Sequence, residues 1–318
     1  MLLSRCEKTL DHKKRIIFSV CDFPDEFTCI SGSCVGIYKR CDKVKDCDDG
    51  SDELECSLLK IPTYYDKSVA PKNCTKSNEC KKSNEILIQV KIINFDFINT
   101  LSNEVGLTLE VKFQWVDPDI DFEDAKNSEE EIHEFKIVSD SEMGKIWLPL
   151  LDITYDNAVI GETIKEEFYS LGVIIKSKAN PRSANTPKES LIYSGARNPL
   201  IVNQKMKTKY RCDFFVQNFP FNKEACRFII SLAKNGNNTI VLTQDNNSIF
   251  YDGPLILNEF EIKSINSTKN QSERKTSFVF TVEFQRLYKQ HLLSTFLQSF
   301  LLWLLSYMTL FINIASTC

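Results

Sequence analysis

From Glu85 onward the chain alternates. In Leu107-Thr-Leu-Glu-Val-Lys-Phe-Gln-Trp115 every odd position is apolar and every even one polar, the period of an extended strand with one buried face. The same beat runs through Tyr210, Cys212, Phe214 and Val216, and again through Phe278, Phe280, Val282 and Phe284. Turn formers separate such runs, at Asn235-Gly236-Asn237-Asn238 and Asp252-Gly253-Pro254, and no long amphipathic helix competes with them. Short alternating strands of this kind predict a mainly β protein, here an immunoglobulin-like β-sandwich of about 200 residues, placed at residues 85–290.

A different pattern closes the chain. No Asp, Glu, Lys or Arg follows Lys289, and residues 292–316 are nearly continuous Leu, Phe, Ile, Trp, Tyr and Met. At about 1.5 Å per residue that run reaches roughly 37 Å, more than the ~30 Å hydrocarbon core, so one transmembrane helix is expected over 291–316. Residues 57–84 carry prolines 62 and 71, scattered lysines and the close pair Cys74 and Cys80. They read as a linker, with a local bridge or two free thiols. Residues 1–20 contain charges where a signal peptide needs an apolar stretch, so Met1 reads as a truncation or misassigned start, with an unusual genuine start as the alternative.

Composition changes the picture in one respect. Twelve cysteines in clustered spacings require a disulfide-permissive compartment. Five N-x-S/T acceptors, at Asn73, Asn237, Asn246, Asn266 and Asn270, fit the same side of the membrane and place residues 1–290 outside the cell. A net charge of −4 and a pI near 5.6 give no reason to expect nucleic-acid binding. His12, His133 and His291 form no zinc or nucleophile spacing, and no phosphate-cradling glycine loop occurs, so no enzyme is expected.

Six cysteines, at 21, 29, 34, 41, 47 and 56, surround the acidic text Cys47-Asp-Asp-Gly-Ser-Asp-Glu-Leu-Glu-Cys56. Thirty-six residues cannot bury enough apolar surface to fold unaided, so covalent and metal staples are required. Six cysteines admit fifteen pairings, and spacing does not choose among them. The segment resembles the low-density-lipoprotein-receptor class A module. That resemblance implies the bridges Cys21–Cys34, Cys29–Cys47 and Cys41–Cys56. It also implies a calcium ion held by Asp42, Asp46, Asp52 and Glu53 with the backbone carbonyls of Lys39 and Val44. Calcium takes six to eight oxygens; a solvated acidic tail is the other reading. The aromatic usual before the fourth cysteine is displaced to Tyr38, with Lys39 in its place, which weakens the expectation that the module clamps a partner's lysine.

Thirteen residues separate Cys212 from Cys226, reading Asp-Phe-Phe-Val-Gln-Asn-Phe-Pro-Phe-Asn-Lys-Glu-Ala. This interval resembles the signature disulfide loop of the Cys-loop (pentameric) ligand-gated ion channels. Phe214 and Val216 fill its apolar positions and Phe219, Pro220 and Phe221 its aromatic core. Asn222 replaces the usual Asp. Trp115-Val-Asp117 resembles the family's Trp-x-Asp; Trp147-Leu-Pro149 resembles its Trp-x-Pro-Asp, with Leu150 replacing the acid; Arg286 matches a basic residue at the domain junction. The resemblance implies a neurotransmitter-gated channel subunit for ion transport. A small extracellular ligand would bind between homologous subunits of a pentamer, and the loop would pass motion to the pore. Four membrane helices are the family's number, and only the first lies in this chain, so the sequence reads as a fragmentary or truncated subunit. The helix lacks the family's proline, with Gln298 near that place.

The ligand region departs furthest. Amine-gated members use an aromatic box, yet Ala233 stands where its Trp would be, Glu110 stands where an aromatic would face the ligand, and residues 264–275 have no aromatic. Tyr155, Phe168, Tyr169, Phe250 and Tyr251 build either another site or core. The acidic run Asp119–Glu134 is a solvated loop or a second divalent site. Two other readings stay open: a membrane-tethered calcium-dependent binding protein, and a non-conducting regulatory subunit.

Overall fold

A computed structural model describes residues 19–22, 25–54, 56–72, 83–123, 136–151, 153–159, 169–176, 192–215, 217–233, 239–271 and 275–310. In chain order the strands are β1 (Glu26–Thr28), β2 (Cys34–Gly36), β3 (Leu59–Lys60), β4 (Ser83–Asn99), β5 (Glu104–Trp115), β6 (Asp121–Glu123), β7 (Lys136–Ile137), β8 (Ile153–Asp156), β9 (Tyr169–Val173), β10 (Ile192–Ser194), β11 (Leu200–Arg211), β12 (Lys223–Ala233), β13 (Thr239–Tyr251), β14 (Phe260–Gln271) and β15 (Lys275–Arg286). Helices are short until the end: α1 (Asp140–Met143), α2 (Tyr288–His291) and α3 (Leu297–Thr309), the last two joined by a π-helical turn over Leu292–Phe296.

Alternation decides which face each long strand buries. Leu107, Leu109, Val111, Phe113 and Trp115 of β5 are buried while Glu110, Lys112 and Gln114 keep contact with solvent. Thr108 breaks the rule and is also buried, because its hydroxyl donates to the Asp96 carboxylate at 2.9 Å. Six strands in the order β13-β4-β5-β11-β9-β7 form one sheet and four in the order β14-β15-β12-β8 form the other. Their buried faces share one core. Phe95 meets Phe284 edge-on at 5.4 Å, Tyr210 meets Phe228 at 5.0 Å, and Phe228 stacks on Phe280 at 4.8 Å. Each such ring removed from water contributes roughly 1.5–3 kcal/mol. All neighbours pair antiparallel except β13 with β4, which run parallel with an irregularity between Gln244 and Ile249.

Residues 57–72 are not the free linker read from the sequence. Leu59–Lys60 pairs with Asp121–Phe122, β6 pairs on its other side with β10, and Leu58, Leu59 and Ala70 are buried in the sandwich core. Gly195, just after β10, donates its N–H to the Ile120 carbonyl at 2.9 Å. A Cβ there would collide with the Asp117 and Ile120 backbone oxygens, so the close approach admits only glycine.

The final helix is different in kind. Its apolar side chains from Leu292 to Leu310 are exposed, Leu310, Leu302 and Leu293 most fully, and Leu292–Thr309 is long and apolar enough to cross a membrane. The remainder of the expected span, residues 311–316, lies outside the described residues.

Candidate functional site

The sandwich meets the helix where three pieces of chain converge. Cys212 and Cys226 are joined, with Cα atoms 5.2 Å apart, and the loop they close contains a cis bond at Phe219–Pro220. The Phe219 ring lies 5.1 Å from the His291 ring and Phe221 lies 5.1 Å from Tyr288, so the loop's aromatic tip rests on the first turn of the helical segment. Asn103, in the tight turn between β4 and β5 with φ +57°, holds the other limb. Its carbonyl accepts from Cys212 N–H at 2.9 Å and its side-chain oxygen from Phe214 N–H at 3.2 Å. Arg286 sits among these groups with only 4% of its surface exposed. Its Nε donates to Asn222 Oδ1 at 3.0 Å and its Nη1 to Glu259 Oε2 at 2.7 Å. The guanidinium lies 4.6 Å from the Phe260 ring centre and 5.2 Å from that of Phe219, the geometry of cation–π attraction. Asn222 in turn donates to Glu224 Oε1 at 2.9 Å, which also accepts from Phe215 N–H at 3.0 Å.

The framework residues lie in the core. Trp115 and Trp147 meet edge to face at 6.0 Å, and Pro149, also buried, opens a 3-10 turn over Pro149–Leu151. Asp117 is fully buried and accepts from the Tyr65 hydroxyl at 2.7 Å and from Asp119 N–H at 3.2 Å. Burial pushes its carboxyl up to about 6, against the lowering effect of those bonds. Tyr65 also accepts from Trp147 N–H at 3.1 Å; burial, then the Asp117 charge, holds its phenol well above the usual range. Residues 57–72 are thereby fastened twice. The second fastening is Glu142, which is buried and accepts from Ser57 Oγ at 2.7 Å, Leu59 N–H at 3.1 Å and Ser139 Oγ at 2.7 Å. Burial pushes the Glu142 carboxyl upward, and these donors more than offset it, leaving it below the ordinary range.

Among the described aromatics of the ligand region, Tyr155 lies on one sheet and the pair Phe250 and Tyr251 on the other. Tyr155 lies on β8 opposite Ile230, its hydroxyl buried without a partner, and burial holds the phenol above its usual range. Tyr251 closes β13, packing on Phe95 at 5.3 Å and donating to the Pro254 carbonyl at 2.8 Å. Half-exposed Phe250 and Tyr251 help to line a cavity of about 250 Å³ with Leu255, Ile262 and Lys263. Glu110 stands cross-strand between Lys91 and Lys205. Phe168, and the side chains of Tyr169 and Ala233, lie outside the described residues, as does most of the acidic run, residues 124–134.

In the N-terminal segment the bridges are Cys21–Cys34, Cys29–Cys47 and Cys41–Cys56. Each contributes roughly 2–4 kcal/mol by restricting the unfolded chain. The four acids do not form one cluster. Asp46 pairs with Lys39 Nζ at 2.6 Å, Asp42 accepts from Val44 N–H at 2.8 Å, and Glu53 accepts from Lys43 N–H at 3.0 Å. Asp52 is fully buried; one oxygen accepts from Asp46 N–H at 2.6 Å and the other has no partner. Burial raises its carboxyl, and backbone donors led by Asp46 and Cys47 more than reverse this. Among the described residues, the one group of three metal-capable side chains with mutually close ligand atoms is Cys21, Glu26 and Cys34. Two of those sulfurs are consumed by a disulfide.

The profile of the neurotransmitter-gated ion-channel ligand binding domain matches residues 55–292, and that of the low-density lipoprotein receptor domain class A matches residues 19–56. The chain belongs to the neurotransmitter-gated ion-channel family. That family is one of membrane-integral ligand-gated channels and not an enzyme class. Comparison with curated proteins returns no match. The family's profile begins at residue 55, so it takes in the fastened stretch 57–72 that composition alone read as linker.

Sequence reasoning missed the partners at the junction of sandwich and helix and those that fasten residues 57–72. Glu224, Glu259, Asn103, Tyr65 and Glu142 carry no motif, and each is recognisable only by what it touches. Among the acceptor asparagines, Asn266 is exposed on the edge strand β14. Asn246 and Asn270 fall within β13 and β14 with side chains outside the described set, as Asn73 and Asn237 are entirely. Cys6, Cys74, Cys80 and Cys318 also lie outside it.

Proposed function

We propose that this chain is a subunit of an extracellular ligand-gated ion channel in the cell membrane, with residues 1–290 outside and the helix from His291 crossing it once. The observation that supports this best is the junction. Arg286 ties the end of β15 to the disulfide loop, and Phe219 and Phe221 rest on His291 and Tyr288, so displacement of the sandwich reaches the membrane segment through packed side chains. In this reading homologous subunits surround a common axis, a small extracellular ligand binds between neighbouring sandwiches, and the Cys212–Cys226 loop transmits the motion. Tyr155 on one sheet and the Phe250–Tyr251 pair on the other, with Ala233 and Glu110 at positions the box would fill with aromatics, argue against a standard amine box.

The class A module holds calcium in the same proposal. Lys39 and Val44 would offer carbonyls and Asp42, Asp46, Asp52 and Glu53 carboxylates. The unpartnered, buried oxygen of Asp52 supports this, because an ionised oxygen without a donor is costly unless a cation meets it. Bound calcium supplies the compact charge that lets these acids turn inward together, and Lys39 must then leave Asp46. Asn73, Asn237, Asn246, Asn266 and Asn270 are proposed to carry glycans.

The test is assembly and binding. Expressed in membranes and extracted in mild detergent, the chain is expected to run as a five-subunit particle and to bind one member of a panel of small amines and amino acids saturably. A monomer that binds no panel member and captures a protein partner only with calcium would overturn the channel reading in favour of a tethered binder.

A further inference from the structure

We infer that Glu224 supplies, through the amide of Asn222, the negative charge that holds Arg286 to the disulfide loop. This rests on the proposed role of the loop in coupling. Arg286 is a cation withdrawn from water, and such a group is stable only beside compensating charge and acceptors. Glu259 touches it, but Glu259 is 56% exposed, and its charge is screened by solvent. On the buried side, the partner of Nε is Asn222, which is neutral.

The missing charge lies one group further in. Asn222 is 4% exposed and Glu224 5%, and the amide faces both ways, its oxygen toward Arg286 at 3.0 Å and its Nδ2 toward Glu224 at 2.9 Å. Cation, amide dipole and anion are thus in line, each polarising the next. Glu224 also accepts from Phe215 N–H, and Arg286 N–H donates to the Asn222 carbonyl at 3.2 Å. One carboxylate therefore fastens both limbs of the loop to the last strand, two residues before the helix begins. Glu224 is a positioning residue for the junction, and Asn222 is its relay.

The experiment exchanges the charge without changing the count of hydrogen bonds. Full-length chain in lipid nanodiscs is compared as wild type, Glu224→Gln, Asn222→Asp, the double variant and Glu259→Gln, by amide hydrogen exchange over residues 213–222 and 284–290. Glu224→Gln is expected to speed exchange in both segments by about tenfold or more, the loss a charge-assisted bond implies. Asn222→Asp alone, with two carboxylates on one cation, also speeds it. The double variant, which moves the carboxylate from the second position to direct contact with Arg286, returns to within a few-fold of wild type, and β5 and β11 stay unchanged throughout. Wild-type exchange in Glu224→Gln would overturn the inference, as would a double variant no slower than Glu224→Gln or a larger effect from Glu259→Gln. Should Glu224→Gln fail to fold, folding of the double variant supports the inference and its failure overturns it. Exchange needs neither ligand nor current, so failure of the channel reading would leave this result standing.

Discussion

Replacing Asp117 by Asn should change how the protein responds to pH more than it changes the protein at any one pH. Asp117 is fully buried and is bound by Tyr65, whose hydroxyl also accepts from Trp147 N–H, with its carboxyl lifted from 3.8 to about 6. A carboxyl raised in the folded state favours the protonated fold. Its contribution is complete below the unfolded value near 3.8 and is lost as pH rises through about 6. That interval corresponds to about 3 kcal/mol. Other acids, among them Glu142 and Asp52, are held low and act in the opposite sense, so the raw pH profile mixes signs. The difference between wild type and Asp117→Asn isolates the one group. Melting the detergent-solubilised chain between pH 4 and pH 7.5 should show wild type gaining on the variant toward acid by roughly 6–12 °C for a domain of this size. Parallel melting curves, or a gap that widens toward alkaline pH, would refute both the assigned burial and the sign.

Three further outcomes follow from the same contacts. Glu142→Ala leaves the buried Leu59 N–H without its acceptor; a loss of about 1–3 kcal/mol and faster proteolysis within 57–72 are expected, and unchanged cleavage rates would count against the fastening. Gly195→Ala drives a Cβ into two backbone oxygens and should cost more than about 3 kcal/mol, seen as loss of soluble expression or a sharply lowered melting point. Lys39→Met frees Asp46 from its ion pair and should tighten calcium binding several-fold by calorimetry; equal or weaker affinity would mean that Lys39 does not compete for that carboxylate.

What could be read from the sequence was whatever a short window holds. Leu107 to Trp115 declares its buried face by alternation, and the 212–226 interval is dense enough in aromatics, proline and cysteine to be recognised whole. The six N-terminal cysteines were visible as a set, but spacing left their pairing open, and only the class A resemblance chose among fifteen. The stretch 57–72 escaped because a two-residue strand has no period and because its anchors, Glu142 and Asp117, lie 83 and 52 positions from the groups they hold. Asn222 looked like a damaged motif position. Its chemistry became legible only with Glu224 and Arg286 beside it, since polar side chains in a sequence do not say which of them will share a buried pocket. Tyr155 shows the converse: an aromatic at a promising place whose hydroxyl is buried in the sandwich.

The double fastening of residues 57–72 sets where this protein can be cut and rejoined. A designer or a recombination event that treats everything before Ser83 as one exchangeable head would strip Tyr65 from Asp117 and Ser57 and Leu59 from Glu142, leaving two buried carboxylates short of donors in the recipient. A junction placed at Cys56 transfers the six-cysteine module alone and leaves its seat intact. The module is a removable head on a neck that belongs to the body.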